Sequence, residues 1–491
     1  MFEFSVALKY LMPRRRQLSV SIIAIVSVFV ISMVVWLILV FFSVTTGLEK
    51  IWTDKLIAMT APIRLNPTNN YYDSYYYKID VISSSSDYTA KSVGEKYKAP
   101  FTDPYNGLND MEIPSYWPLP HHDSNGDTID PVKGAFNAIT SLAGIRASDY
   151  EYAIAQMHLK TIHNDVQTSL TQSCYLSAFD EENSIIDKII IPDESNTGLT
   201  AQELITPDNI TSDENVFVTK HFRESGVVVG DRGYLSYYAP TAGALQEQRI
   251  SIRVAGFYDP GIIPLGGKFV IAGKEVTSLI SAATNHYDTT FGNGINVWFS
   301  DTDKASTVKE SIIHKLRDAG IDKYWNVQTF KEYDFTKDLV EQLQSERLLF
   351  TLIAVIIIIV ACSNIVSMLI LLVNDKKKEI GILQSMGASP KSIALIFGSC
   401  GVLMGLLSTG IGTIAALFTL ANLDVIIGML SAIQGHAVFN SAFYGDIMPH
   451  ELDFEIVRFI LISTGFISLI AGVVPALKAS LMKPAEILRS E

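Results

Sequence analysis

Residues Asn374–Ile393, NDKKKEIGILQSMGASPKSI, form a short basic stretch punctuated by glycine, wedged between two of the most apolar runs of the chain. Upstream lies Leu348–Val373 and downstream Ser392–Leu420, each long enough to cross a bilayer, which takes about 20 apolar residues. Two further runs of this kind are Leu18–Val44 and Ile456–Leu477. The first exceeds the apolar core of a cleavable leader, about 7–15 residues, and no small-residue cleavage site follows it, so it reads as a retained anchor.

Charge orients the four spans. Lys9, Arg14, Arg15 and Arg16 precede the first, Lys376, Lys377, Lys378 and Lys391 separate the second from the third, and Lys478, Lys483 and Arg489 follow the fourth. Ala421–Glu455 holds Asp424, Asp446, Glu451, Asp453 and Glu455 and no Lys or Arg. The positive-inside rule then puts both termini and the middle stretch in the cytoplasm. Thr45–Ser345 lies outside, with 25 Lys and Arg against 40 Asp and Glu. Such acidity serves solubility and argues against a nucleic-acid partner.

The expected fold is an α-helical membrane protein with four transmembrane helices and a large mixed α/β extracytoplasmic domain between helices 1 and 2. In detail, 1–17 is a cytoplasmic N-terminal segment, 18–44 the first span and 45–345 the external domain, with an irregular insertion at 66–131. The second span is 348–373, a short cytoplasmic segment 374–391, the third span 392–420, an external loop 421–455, the fourth span 456–477 and a cytoplasmic tail 478–491.

The external segment opens with a helical continuation of the first span that Pro62 ends, followed by a strand. Asn66–Pro131, rich in Tyr, Ser, Pro and Asp, lacks periodicity, although its aromatics call for packing. ENVFVTKHFRESGVVVGDRGYLSYY (Glu214–Tyr238) predicts strand, short helix, turn and strand, and RISIRVAGFYD (Arg249–Asp259) alternates as a half-buried strand. KASTVKESIIHKLRDAG predicts an amphipathic helix ended by Gly320. NVQTFKEYDFTKDLVEQLQSERLLF predicts one long helix feeding the second span.

On a helical wheel, Ile380, Ile382, Leu383 and Met386 share one side, and Glu379 falls in the middle of that face. A buried carboxylate there needs a partner. Either Glu379 compensates the local lysines or caps the helix, or the helix enters a cleft on a cytoplasmic protein where Glu379 meets a donor. Gly387 ends the helix, and Ser389 and Pro390 stand as N-cap and first residue of the next.

No catalytic constellation stands out, and the histidines show no ligand spacing. HHDSNGDTID (His121–Asp130) offers Asp123, Asn125, Asp127 and Asp130 as oxygen donors but breaks the calcium-loop spacing, so no metal site is assigned. Cys174, Cys362 and Cys400 give no disulfide framework. The phosphate-binding pattern G-x-x-x-x-G-K-[ST] does not occur; GIIPLGGKF (Gly261–Phe269) has the wrong spacing. Gly398, Gly401 and Gly405 have the spacing of close helix packing, and Asn364 is a polar residue inside an apolar span.

EIGILQSMGASPKSIALIF (Glu379–Phe397) resembles the cytoplasmic coupling segment of ABC-transporter permeases of the FtsX/MacB superfamily. VVPALKASLMKPAEILRSE (Val473–Glu491) is similar to the closing motif of that group, and ALKYLMPRRRQLSVSIIAIVSVFVISMVVWLILVFFSVTTGLEK (Ala7–Lys50) to its opening. DIMPHELDFEIV (Asp446–Val457) and SNIVSMLILLVNDKKKEI (Ser363–Ile380) look most like the lipoprotein-releasing, LolC/LolE-type branch. The resemblance covers the N-terminal segment and everything from about Val216; the Asn66–Pro131 insertion departs from it.

The resemblance implies a permease of a type VII, mechanotransmission transporter in a Gram-negative inner membrane, not itself an enzyme. Its implied partners are two copies of a cytoplasmic ABC ATPase carrying ATP and Mg, a second permease subunit, membrane lipid, a lipoprotein substrate and a periplasmic carrier. ATPase coupling then falls to Lys378, Glu379, Ile380, Ile382, Leu383, Met386 and Gly387. The substrate path between the first two spans takes in Val44, Leu48, Leu352, Ile356 and Asn364. Carrier contact falls to Pro240 and Leu245 in the Tyr237–Ile250 hairpin, which equally fits a plain surface hairpin. Two alternatives stay open: a MacB-like efflux or peptide-export permease, disfavoured by the roughly 17 residues before the first span, and an FtsX-like scaffold controlling a cell-wall hydrolase, disfavoured by the external domain of about 300 residues.

Overall fold

The computed structural model describes residues 6, 7, 9, 18–86, 91–122, 126, 128–163, 166–183, 186–191, 199–206, 213–241, 244–261, 267–284, 292–436, 450 and 454–480. In chain order the elements begin with helix α1 (Leu18–Thr60) and strand β1 (Ile63–Pro67). Short helices α2 (Asn69–Tyr72), α3 (Tyr75–Ile82), α4 (Val93–Lys98) and α5 (Pro131–Thr140) follow. Next come β2 (Arg146–His163), β3 (Val166–Ala178), β4 (Ile190–Ile191), α6 (Ala201–Ile205), β5 (Glu214–Thr219) and α7 (Lys220–Glu224). The hairpin β6 (Arg232–Thr241) and β7 (Ala244–Tyr258) leads to β8 (Phe269–Ala272), α8 (Lys274–Thr284), β9 (Asn293–Trp298), α9 (Ala305–Asp318) and β10 (Trp325–Thr329). The remainder is helical: α10 (Asp334–Asp375), α11 (Lys377–Ser385), α12 (Pro390–Ala421), α13 (Leu423–Gln434) and α14 (Phe454–Ser480).

The chain divides into two compact units, Met1–Ile51 with Glu341–Glu491, and Trp52–Val340. Among the described residues, four helices are long and apolar enough to cross a membrane, at Ala24–Thr60, Thr336–Asp375, Pro390–Ala421 and Phe454–Ala471. Their shared core includes Ile31, Val35, Ile38, Ile358, Ile365, Leu369, Phe397 and Met404. Outward side chains such as Phe29, Val360, Phe418 and Phe466 are apolar and exposed, the inverse of a water-facing helix.

The second unit is built on a ten-stranded sheet in the order β10-β1-β9-β2-β3-β8-β5-β7-β4, with β6 paired to β2 and β7. The chain enters and leaves this unit on neighbouring strands: β1 pairs antiparallel with β10, Ile63 opposite Thr329. At the junction Ala61 adopts a left-handed backbone (φ 68°), unusual for a residue with a Cβ. It is held there by its amide bond to Ile57 O (2.8 Å) and by Tyr333 Oη, which donates to Ala61 O (2.9 Å). Pro62 follows and forbids further helix.

Three expectations are corrected. Asn326–Thr329 does not belong to the long helix; it lies in strand β10, because backbone pairing with β1 overrides local helix preference, and the helix starts at Asp334. The Asn66–Pro131 insertion is not irregular throughout: Asn69–Lys98 carries three short helices whose Tyr71, Tyr75, Tyr76 and Ile79 are buried against Trp325, Tyr324 and Phe136. Tyrosine supplied that apolar face, and its hydroxyl disguised the periodicity. Ala421–Glu455, read as a loop, contains helix α13.

Candidate functional site

The basic stretch is a helix–turn–helix. After α10 ends, the Lys376 amide bonds to Leu372 O (3.0 Å) and Lys376 becomes the N-cap residue of α11. Lys376 is buried, and its Nζ lies 2.8 Å from Glu379 Oε1. The carboxylate in the middle of the apolar arc thus has a partner within the chain, a buried lysine at the helix start. Ile380 is fully buried in the helical core with Leu372, Val373 and Ile393.

The apolar arc is therefore split. Its Ile380 edge faces the helices, while Ile382 and Met386 are exposed (50 % and 79 %) and Leu383 is half-buried. The helix closes with two bonds, Gly387 N to Gln384 O (3.0 Å) and Ala388 N to Leu383 O (3.0 Å). Gly387 takes φ 99°, a conformation only glycine adopts freely. Ser389 Oγ accepts from Ser392 N (3.1 Å), and Pro390 opens α12. Lys378, Glu379, Ile380, Ile382, Leu383, Met386 and Gly387 are thus gathered on one nine-residue helix and its cap. Both ends are pinned, so the exposed Ile382–Met386 edge is presented rigidly.

Among the residues assigned to a path, Asn364 of α10 accepts a hydrogen bond from Ser27 Oγ of α1 (2.9 Å). Val44 and Leu48 are half-buried, whereas Leu352 and Ile356 are exposed. The same two helices meet at Phe41 and Phe350, whose rings are 4.8 Å apart edge to face, and at Glu49 and Arg347 (3.8 Å). Beside them lies a cavity of about 410 Å³ that sequence did not anticipate. Ile38, Phe42, Ala354, Ile358 and Phe459 line it, with Arg347, Glu455 and Arg458 also on its wall.

Small residues set the helix spacing. A Cβ on Gly405 would stand 2.4 Å from Ser468 Oγ, and one on Gly412 2.6 Å from Ser32 O. Gly398 has nothing within 4 Å of that position, so of the spaced glycines it does not enforce contact.

In the α/β unit, Pro240 and Leu245 are directly opposite each other on β6 and β7, and both are exposed. The Tyr237–Ile250 segment is therefore largely ladder, with a tip at 242–243 outside the described residues. Asp123, Asn125 and Asp127 also lie outside them, and Asp130 is engaged as the N-cap of α5, accepting from Val132 N and Lys133 N (both 2.9 Å). Among the described residues no cluster of His, Cys, Asp and Glu suits a metal. Cys174 and Cys400 are free and buried.

Sequence also gave no warning of Arg64. Alternation along Ile63–Leu65 points it away from the core, yet it is 4 % exposed. Its guanidinium lies over the rings of Tyr150, Tyr152 and Tyr333, and its Nε donates to Asn296 Oδ1 (3.1 Å). Burial lowers its pKa, opposed by Tyr333, Tyr150 and Asp180.

Residues 351–484 match the family model FtsX-like permease C-terminal. The helices from residue 351 onward are thus similar to an FtsX-like permease C-terminal domain. Within that superfamily the similarity runs to permeases of the LolC/LolE type. The lipoprotein-releasing system transmembrane protein LolC of Xylella fastidiosa is 26% identical over 199 residues, 40% of this chain and 46% of that one. LolC of Haemophilus influenzae is 32% identical over 120 residues, covering 24% and 28% of the two chains. LolE of the same organism is 31% identical over 119 residues, covering 24% and 29%. The match spans less than half the length of these relatives.

Proposed function

We propose that the chain is the permease subunit of an ATP-driven, mechanotransmission ABC transporter that extracts lipoproteins from the outer leaflet of a Gram-negative inner membrane and passes them to a periplasmic carrier. Two copies of a separate cytoplasmic ATPase, holding ATP and Mg, grip α11, and a second permease subunit completes the path. Both termini lie in the cytoplasm and the α/β unit in the periplasm, following the basic residues at 376–378 and 391 and the acidic surplus of 45–345. Lipoprotein acyl chains enter past Val44, Leu48, Leu352 and Ile356, and the Pro240–Leu245 pair meets the carrier.

The observation that carries this proposal is the exposed Ile382–Met386 edge of a short helix clamped at both ends inside an FtsX-like permease domain. An apolar edge on the charged side of a membrane protein calls for a protein socket. The test is co-purification from membranes in mild detergent with identification of all bound proteins. Wild type brings down a P-loop ATPase and acylated lipoproteins. Met386→Asp abolishes ATPase recovery while the permease remains folded; Glu379→Lys also loses the ATPase, but by unpairing the buried Lys376 and disturbing α11 itself, so Met386→Asp is the variant that isolates the contact. An ATPase with a cell-wall hydrolase and no lipoprotein would replace transport with signalling, an ATPase with a periplasmic adaptor would point to efflux, and recovery of no ATPase would refute the coupling role of α11.

A further inference from the structure

Helix α13 (Leu423–Gln434) begins where α12 ends, the two separated only by Asn422 (φ −122°), whose Nδ2 bonds back to Phe418 O (2.9 Å). At 100° per residue, Val425, Met429, Ile433, Ile426 and Leu430 fall on one arc of about 140°, with Asp424, Gly428 and Ser431 opposite, while Leu423, Gln434 and the half-buried Ile427 lie just beyond its Leu430 edge. All five apolar side chains are exposed, by 40–80 %; of the helix only Leu423 is buried. Gly435 stops it with φ 73°.

Twelve residues extend about 18 Å, well short of the roughly 30 Å of hydrocarbon a spanning helix crosses. An amphipathic helix of this length, joined by one residue to a helix of spanning length, has an apolar surface within reach: the bilayer. We propose that α13 lies flat in the membrane–water boundary on the side where α12 emerges, with Met429 and Ile433 at the centre of its inserted face. The occupant is lipid rather than protein because the exposed face is continuous in sequence with a membrane helix whose own outward residues, Ile411, Ile414 and Phe418, are equally apolar and exposed. Ala421–Glu455 contains no Lys or Arg, so insertion is driven by apolar burial and not by anionic headgroups. The inference rests only on α12 spanning a bilayer, and not on which substrate the transporter carries.

The test uses the full chain with its three cysteines replaced by alanine and one new cysteine at a time, Met429→Cys, Ile433→Cys, Asp424→Cys or Ile414→Cys, labelled with the environment-sensitive fluorophore NBD in phosphatidylcholine nanodiscs. Labels at 429 and 433 should emit blue-shifted light and be quenched at least about twofold more by doxyl-labelled lipid than by iodide, with the order reversed at 424. Replacing part of the lipid with phosphatidylglycerol should leave this unchanged. Water-like emission at 429 and 433 overturns the proposal. So does blue-shifted emission insensitive to doxyl lipid, which would show a protein cover such as a second permease copy. The label at 414 separates the two levels: if it escapes lipid quenching, the spanning of α12 fails and this inference with it, whereas quenching at 414 without quenching at 429 and 433 removes the inference alone.

Discussion

The two units bury polar groups in different ways. In the α/β unit a whole cation is taken inside. Arg64 is enclosed by three tyrosine rings and bonded to Asn296, which donates to Asp180 Oδ2 (3.3 Å), while Asp180 also receives Trp298 Nε1 (2.8 Å) and Ser148 Oγ (2.5 Å). In the helical unit the buried cation Lys376 is met by a carboxylate three residues on, and several buried hydroxyls turn back on their own helix: Ser408 bonds to Met404 O (2.7 Å) and Thr409 to Gly405 O (2.8 Å). A sheet brings side chains from several strands to one point and can assemble a fixed polar cage. A helix has its backbone groups committed, so side-chain hydroxyls close locally and specificity rests on size. Polar contacts between distant segments weigh more in one unit, local polar closure and steric fit in the other.

The largest expected effect tests the cage. Arg64→Met should destabilise the α/β unit by about 3 kcal/mol, since Asn296 loses a donor and Asp180 a neighbouring positive charge in a buried site. Arg64→Lys should recover little, because an ammonium cannot reproduce the planar guanidinium stacked on tyrosines while donating sideways. Thermal unfolding followed by tryptophan fluorescence measures both. A methionine variant that melts with wild type would mean that the cage is only apolar packing.

Steric fit is tested next. Gly412→Ala places a methyl 2.6 Å from Ser32 O and 2.8 Å from Val35 Cβ, forcing α1 and α12 apart at a cost of about 1–3 kcal/mol. Gly398→Ala, with open space around it, should be neutral or gain up to about 1 kcal/mol from helix propensity. Detergent-resistant melting of the two variants side by side is the measurement. Equal behaviour would dissolve the contrast between enforced and unenforced contacts along one helix.

The same contrast explains what was legible in the sequence. Spans are written as long apolar runs, and the α11 region was readable because Gly387, Ser389 and Pro390 act through local backbone geometry. The strands of Glu214–Tyr258 were readable through alternation. Arg64 was invisible because its burial depends on Tyr150, Tyr152, Asn296 and Tyr333, distant in sequence and joined only by sheet pairing. β10 was missed for the same reason: its partner lies more than 250 residues upstream. Helix α13 hid in a segment judged by its charges, and Glu379 was correctly placed on an apolar arc whose division between core and surface no wheel reveals. The role proposed for these positions rests on resemblance, since an exposed Ile or Met carries no chemistry of its own.

A smaller effect is expected at Asp259. Burial raises its carboxyl pKa, but bonds from Lys55 Nζ (2.7 Å), Gly261 N (3.0 Å) and Lys220 Nζ (3.0 Å) outweigh this and hold it below the ordinary 3.8. A carboxylate with a depressed folded pKa contributes stability that is complete above its unfolded value and is lost as pH falls through the folded one. Asp259→Asn should therefore cost about 1 kcal/mol at neutral pH, the pair being partly exposed, and nothing once wild-type Asp259 is itself protonated. Melting curves from pH 7 downward should converge below about pH 4. Parallel curves would show that the two lysines do not stabilise the carboxylate.

Ser27 and Asn364 are the helical counterpart, one neutral hydrogen bond between α1 and α10. Such bonds between membrane helices are worth about 0.6 kcal/mol on average, because in the dissociated state each group finds another partner. Asn364→Leu should accordingly lower stability by about that amount, and Ser27→Ala with it should cost little more, since the second substitution removes a hydroxyl already without this acceptor. Neither group titrates, so the difference should be flat with pH where that of Asp259 is not. If Asn364→Leu keeps stability but reduces the transport proposed for the chain, the amide acts on the substrate path as well as between the helices.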